Sequence, residues 1–169
     1  HPQRMKIKEE PLSRSVLDVL NVEWQFPGLV SAEQIKTIFE SVERIIPWAK
    51  PKRYKPLGFS RKTFSSDSMK DFLESFDMVR TIDWYGLEPL IDGSLSGPRS
   101  INGEALDLSN RFSHLSLSLK NDQVVQDQEL CASLVTIFVE LSQTLQCKYA
   151  SAFVVRRQHL IGDELATGG

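Results

Sequence analysis

His114 sits in a run that also holds Ser113, Ser116 and Ser118, and Asp83 lies on a candidate strand that could neighbour it. A hydroxyl, an imidazole and a carboxylate brought into line can perform nucleophilic catalysis: the imidazole takes the hydroxyl proton and the carboxylate orients the ring. Such sites on strand-to-helix turns carry a G-x-S-x-G signature, and none occurs here. Neither dinucleotide-binding glycines nor a phosphate-binding loop ending in Gly-Lys-Ser/Thr is present. The three histidines, His1, His114 and His159, are scattered, without H-x-x-x-H spacing or paired cysteines, so no metal site and no cofactor are expected. A small enzyme centred on His114 is the alternative reading; most histidines and serines on the wet side of a strand are simply solvated.

Charge is segregated more sharply than catalytic residue types. Residues 50–62 carry Lys50, Lys52, Arg53, Lys55, Arg61 and Lys62 with no acid, interleaved with Trp48, Tyr54 and Phe59. Basic residues among aromatics can grip single-stranded nucleic acid by phosphate contact and base stacking. Aromatics that pin a loop to the core while lysines stay in water give the same pattern. Residues 67–92 hold Asp67, Asp71, Glu74, Asp77, Asp83, Glu88 and Asp92 against only Lys70 and Arg80. Adjacent segments of opposite sign can steer and orient a charged partner, or merely neutralise each other across a solvated surface.

The elements that must position these groups follow from periodicity. Residues 19–26 alternate, with Leu20, Val22, Trp24 and Phe26 on one side, which predicts a half-buried strand ended by Pro27-Gly28. Ser31 and Gln34 form a capping-box pattern ahead of the helical stripe Ile35, Ile38, Phe39, Val42, Ile45 and Ile46, stopped by Pro47. Residues 48–62 read as a loop because of Pro51, Pro56 and Gly58. A short helix is predicted over residues 67–78 with Ser66 as its cap, then a short strand over residues 80–86. Residues 87–110 are turn-rich, with Asn102-Gly103 a hairpin signal. Residues 112–120 alternate, with Leu115, Leu117 and Leu119 inward, and Asn121-Asp122 makes a turn. Asp127 caps a last helix with the stripe Leu130, Leu134, Ile137, Phe138, Leu141 and Leu145. Residues 149–155 are apolar on both faces, which predicts a central or well-covered strand.

This order predicts an α+β fold: an antiparallel sheet with two main helices on one face, wound as a ferredoxin-like split β-α-β with insertions. A ferredoxin-like RNA binder would set aromatics on the open face of its third strand; here that face offers Ser116 and Ser118, which weakens the nucleic-acid reading. Residues 1–4 read as a tag remnant ahead of Met5, residues 5–15 as a lead-in arm, residues 16–160 as one domain and residues 161–169 as a polar tail. A chain of 169 residues buries about 70% of its unfolded surface. A net charge of −2 opposes generalised nucleic-acid or membrane-surface binding. No apolar run approaches the roughly 20 residues of a membrane span, no signal segment follows Met5, and a cytoplasmic location is expected. Cys131 and Cys147 would stand roughly 20 Å apart along and beyond the last helix, too far for a disulfide, and are expected to be reduced packing residues.

The layout resembles a family of bacterial polymorphic-toxin immunity proteins, of the kind found beside restriction-endonuclease-like toxins. The resemblance runs over most of residues 20–155: a first strand and helix, then Trp48, Lys50 and Gly58-Phe59-Ser60-Arg61-Lys62, then Trp84-Tyr85-Gly86, then a closing helix–strand pair. Ile91-Asp92-Gly93 stands in part for a Trp-Asn-Gly turn that is absent. The resemblance implies a non-enzymatic protein that occludes the active site of one cognate toxin. An acidic and aromatic surface of Asp77, Asp83, Trp84, Tyr85, Glu88 and Asp92 is the expected contact, with large apolar side chains as anchors and charge at the rim.

Overall fold

The computed structural model describes residues 14–98, 111–161 and 164–165. Alternation in the first segment builds strand β1 (Arg14–Pro27), which buries Val22, Trp24 and Phe26 under the helices and leaves Asn21, Glu23 and Gln25 on the opposite face. Helix α1 (Ala32–Ile45) opens with the capping box. The Ser31 hydroxyl accepts from the Gln34 amide at 3.1 Å, and the Gln34 side chain accepts from the Ser31 amide at 3.0 Å. A 3-10 turn, Pro47–Ala49, follows. Then come β2 (Arg53–Pro56), β3 (Lys62–Thr63), α2 (Met69–Val79), β4 (Thr81–Tyr85), β5 (Leu90–Ser96) and β6 (Phe112–Lys120). The chain closes with α3 (Asn121–Val125), α4 (Gln128–Thr144), β7 (Tyr149–Ile161) and β8 (Glu164–Leu165).

The α+β class and the antiparallel sheet under two main helices are both present, with α2 and α3 as smaller additions. Strand order is β3-β2-β4-β5-β6-β1-β7-β8, and each neighbouring pair is antiparallel. The winding is the expected ferredoxin-like split β-α-β: β1 and β5 run parallel with β6 inserted between them, β7 flanks β1, and β2, β3, β4 and β8 are insertions and extensions on that β7-β1-β6-β5 centre. Here α1 carries the chain from β1 to the far side of the sheet. The chain then walks back through β2, β4, β5 and β6 as antiparallel neighbours and meets β1 from the opposite direction.

Four local expectations change, the first being that Leu90–Ser96 of the turn-rich stretch forms strand β5. Residues 53–56 and 62–63 are strands, with Pro56 tolerated as the last residue of β2. Ser68, two residues after the expected cap, precedes α2, which ends at Arg80 in the left-handed region at φ 57. The Asn121-Asp122 turn is the first turn of α3. The Asn102-Gly103 hairpin lies outside the described residues. The sheet runs past both expected domain limits, since β1 starts at Arg14 and β8 pairs with β7 at residues 164–165.

One main core lies between sheet and helices. Trp24 and Trp84 are fully buried, and each indole N–H is satisfied, by the Phe138 carbonyl at 3.2 Å and the Ala49 carbonyl at 2.9 Å. Phe39, Phe72, Trp84, Tyr54 and Phe64 meet largely edge-to-face at 5.2–6.3 Å between centroids. A second, small cluster of Val19, Ile91 and Leu17 sits on the other face, where β1 carries a bulge and β8 approaches β5. The sheet thus closes over itself at that end and forms a trough open at the other.

Candidate functional site: the trough of the sheet

Strand registers place the outward side chains in rows across the trough. One row runs Lys55–Asp83–Ser94–Ser116–Glu23–Ser151 across β2, β4, β5, β6, β1 and β7. The next, toward the open end, runs Thr81–Ser96–His114–Gln25–Tyr149. On the other side Asp92, Ser118, Asn21 and Phe153 stand in line, with the Ser118 hydroxyl donating to the Asn21 side-chain carbonyl at 2.9 Å. Small hydroxyl residues leave the floor largely unfilled. Carboxylates of Asp83, Asp92 and Glu23 lie mid-floor. Tyr149 and Phe153 form one bank, and Arg53 with Arg61 over Tyr85 forms the other.

The six residues expected to contact a partner do not form one patch. Asp83 and Asp92 face the trough, half-buried and engaged in interactions of their own. Tyr85 faces the same way but is covered by the Arg61 guanidinium, 3.9 Å from the ring centroid, and is buried. Trp84 points into the core, where the Phe39 ring meets its edge, so it is a packing residue rather than a surface anchor. Alternation along β4 makes this unavoidable, because Trp84 and its neighbours Asp83 and Tyr85 point to opposite faces. Asp77 is exposed at the end of α2. Glu88 is exposed beyond β4, where its carboxylate accepts from Lys120 and, at 3.1 Å, from the Gln123 amide, and these bonds hold its carboxyl below the usual range.

Much of the basic segment is matched within the fold. Lys50 pairs with Glu43 at 3.7 Å and Lys62 with Asp71 at 3.1 Å, while Arg53 and Arg61 address Tyr85. Tyr54 donates its phenol hydrogen to Asp71, so this aromatic faces inward. Of the aromatics in the nucleic-acid reading, Tyr54 is turned into the core, Trp48 is half-buried and Phe59 stays exposed.

The His114 constellation does not assemble. Asp83 pairs with Ser94 and Ser94 with Ser116, so β5 intervenes between β4 and β6. Two strand spacings put their backbones roughly 9–10 Å apart. Ser113 is buried and donates to the Gly28 carbonyl at 2.6 Å, on the face opposite exposed His114. Among the described residues no group of three or more His, Cys, Asp or Glu could hold a metal ion, and no helix is long and apolar enough to cross a membrane. Both cysteines are free; Cys131 donates to the Val124 carbonyl at 3.0 Å, and burial pushes the Cys147 thiol upward.

Asn21, Glu23 and Gln25 on β1, Ser94 and Ser96 on β5, and Tyr149 and Phe153 on β7 are site residues that were not expected. Their outward phase is visible in the alternation of β1, but their convergence depends on strand order, which alternation does not carry.

No family model matches this sequence, and no curated protein matches it. Among solved structures the chain is similar to the Pseudomonas aeruginosa T6SS protein PA0821, with a TM-score of 0.58 and 10% identity over 87% of this chain. The match covers 42% of that protein, so this chain spans less than half of its length. At that identity the likeness concerns the fold.

Proposed function

We propose that this chain is a non-enzymatic binding protein that neutralises a cognate bacterial toxin by covering its active site. The observation that carries the reading is the trough: a hydroxyl-floored face with Glu23, Asp83 and Asp92 at its centre, Tyr149 and Phe153 along one bank, and Arg53 and Arg61 over buried Tyr85 along the other. Shape and rigidity come from strands, so a partner docks on a preformed surface at little ordering cost. Central carboxylates suit a basic substrate cleft, such as that of a nuclease, and the flanking aromatics suit a protein more than a small molecule. The T6SS name of the structural neighbour is compatible with a toxin-system setting. Relative to the surface expected from sequence, Trp84 leaves the contact set and Glu23 joins Asp83 and Asp92.

The test is co-expression with the product of the adjacent gene. A stable complex and rescue of growth are expected. Replacing Glu23 and Asp92 with lysine is expected to slow association about tenfold at low salt and much less at high salt, since screening removes steering between exposed charges. Absence of any complex rejects the toxin-neutralising reading. A complex whose association rate ignores both substitutions rejects the trough as its surface.

A further inference from the structure

The outer edge of β7 carries a second surface, which meets the trough at the Tyr149 and Phe153 bank. β8 pairs only with Leu160 and Ile161, so among the described residues no strand flanks β7 from Tyr149 to His159 on that side. Protein edges of this kind are ordinarily blunted by charge, proline or a bulge. This one reads Tyr-Ala-Ser-Ala-Phe-Val-Val over residues 149–155, seven residues without a charge, a proline or a glycine. The expectation of a covered position therefore fails within the chain itself: Tyr149 is 57%, Phe153 43% and Val154 40% exposed. Beside it α4 presents Val135, 64% exposed, and one turn on Val139. Between helix and strand lies an apolar cleft of about 260 Å³, lined by Leu20, Val22, Leu134, Val135, Phe138 and Ala152 among others.

We propose that β7 pairs antiparallel with β7 of a second copy about a two-fold axis at Phe153, continuing the sheet and setting α4 against its counterpart. Three constraints select this occupant and register. A strand apolar on both faces with unpaired backbone groups is complementary to another such strand, and the nearest guaranteed one is its own copy, as an isologous interface requires. A two-fold relating antiparallel neighbours keeps each face on its own side, so both helix layers fall on one face and the exposed valines of the two α4 helices approach each other across the cleft. An axis at Ala152 would set Lys148 directly opposite Arg156, a like-charge pair, whereas an axis at Phe153 sets Arg156 opposite Ala150 and leaves β8 clear of the partner strand. The exposed parts of Tyr149, Phe153, Val154, Val135 and Val139 offer roughly 500 Å² per protomer, below the roughly 800 Å² per partner of a standard interface, which suits a dimer that dissociates on dilution. The two troughs would then open on the same side.

Sedimentation of the full chain across the micromolar range is expected to show a species of twice 19.2 kDa that dissociates on dilution. In a Cys131→Ser, Cys147→Ser background, Phe153→Cys is expected to form an interchain disulfide on mild oxidation, because facing residues in an antiparallel pair stand about 4.5–5.5 Å apart at Cα, within disulfide range. Ser151→Cys in the same background is expected not to cross-link, since its opposite number is Val155. Phe153→Lys and Val135→Asp, both at exposed positions, are expected to give monomer with unchanged circular dichroism. A wild-type chain monomeric at all concentrations overturns the proposal. So does a dimer that tolerates Phe153→Lys or Val135→Asp, or that cross-links through Ser151→Cys. An edge that binds only a different protein also overturns it; the toxin-binding reading is tested separately, through Glu23 and Asp92 on the trough floor.

Discussion

Asp71 is a half-buried acid bonded by both Tyr54 and Lys62, and these connections set a pH dependence. Hydrogen bonds from Tyr54 and then Lys62 hold its carboxyl below the ordinary 3.8. A depressed folded-state value contributes stability that is present above the unfolded value and is lost as pH falls through the folded one. Tyr54 moves the other way: burial first, then its bond to Asp71, push the phenol up to about 12 from 10.0. Below pH 10 its contribution is fully present, and it is lost as pH rises toward 12. Asp71→Asn is therefore expected to flatten the acid limb of a urea-midpoint profile and to lower, without abolishing, the upward shift of the Tyr54 phenol read by phenolate absorbance. A variant with both limbs unchanged would remove Asp71 from this role. Gly93 shows a different kind of constraint. A Cβ there would lie 2.1 Å from the Trp84 indole, which packs flat against the β5 backbone. Gly93→Ala is expected to destabilise the fold by about 1–3 kcal/mol through overpacking, measured by denaturant unfolding.

At the scale of elements, α1 and α4 are held at their starts by side-chain caps. Ser31 accepts from the Gln34 amide and Asp127 from the Leu130 amide at 3.0 Å. Ser31→Ala and Asp127→Ala are each expected to lower stability by about 1 kcal/mol in equilibrium denaturation. Both helices were legible from sequence for the same reason: cap, apolar stripe and terminator are local and redundant. The same holds for β1 and β6, whose alternation is long. β2 was not legible, because four residues ending in Pro56 become a strand only by pairing with β4. The candidate site was legible only in part for a related reason. Trp84 reads as an anchor beside two acids until the pleat of β4 turns it inward, and Glu23 reads as ordinary wet-face polarity until β6 and β7 flank it. In β7 an apolar pattern on both faces was legible, but whether such a strand is covered or offered to a partner is decided by its place in the sheet order.

That order also fixes how stability is distributed over the whole molecule. β1 is the first strand made, yet it lies between β6 and β7, and Trp24 faces Leu115 on one side and Ala150 on the other. Its ladder closes only when the chain has nearly ended, so the central pairing is non-local and folding is expected on the order of milliseconds to seconds. Once formed, β1 cannot open without exposing Val22, Trp24 and Phe26 together with the α4 face above them. At the other margin β3 is two residues long and α2 rests on β2 and β4, so this corner can open while the β1–β6–β7 centre stays closed. Native-state hydrogen exchange is therefore expected to divide the molecule in two. Amides of β1 and β6 should exchange only through global unfolding, with a denaturant dependence equal to that of the equilibrium transition. Those of β3 and the last turn of α2 should exchange by smaller openings that denaturant accelerates less. If peptides from residues 19–26 exchanged as readily as those from residues 69–79, the centre of the sheet would not be the stable unit, and a trough built across it would lack the rigidity on which preformed docking depends.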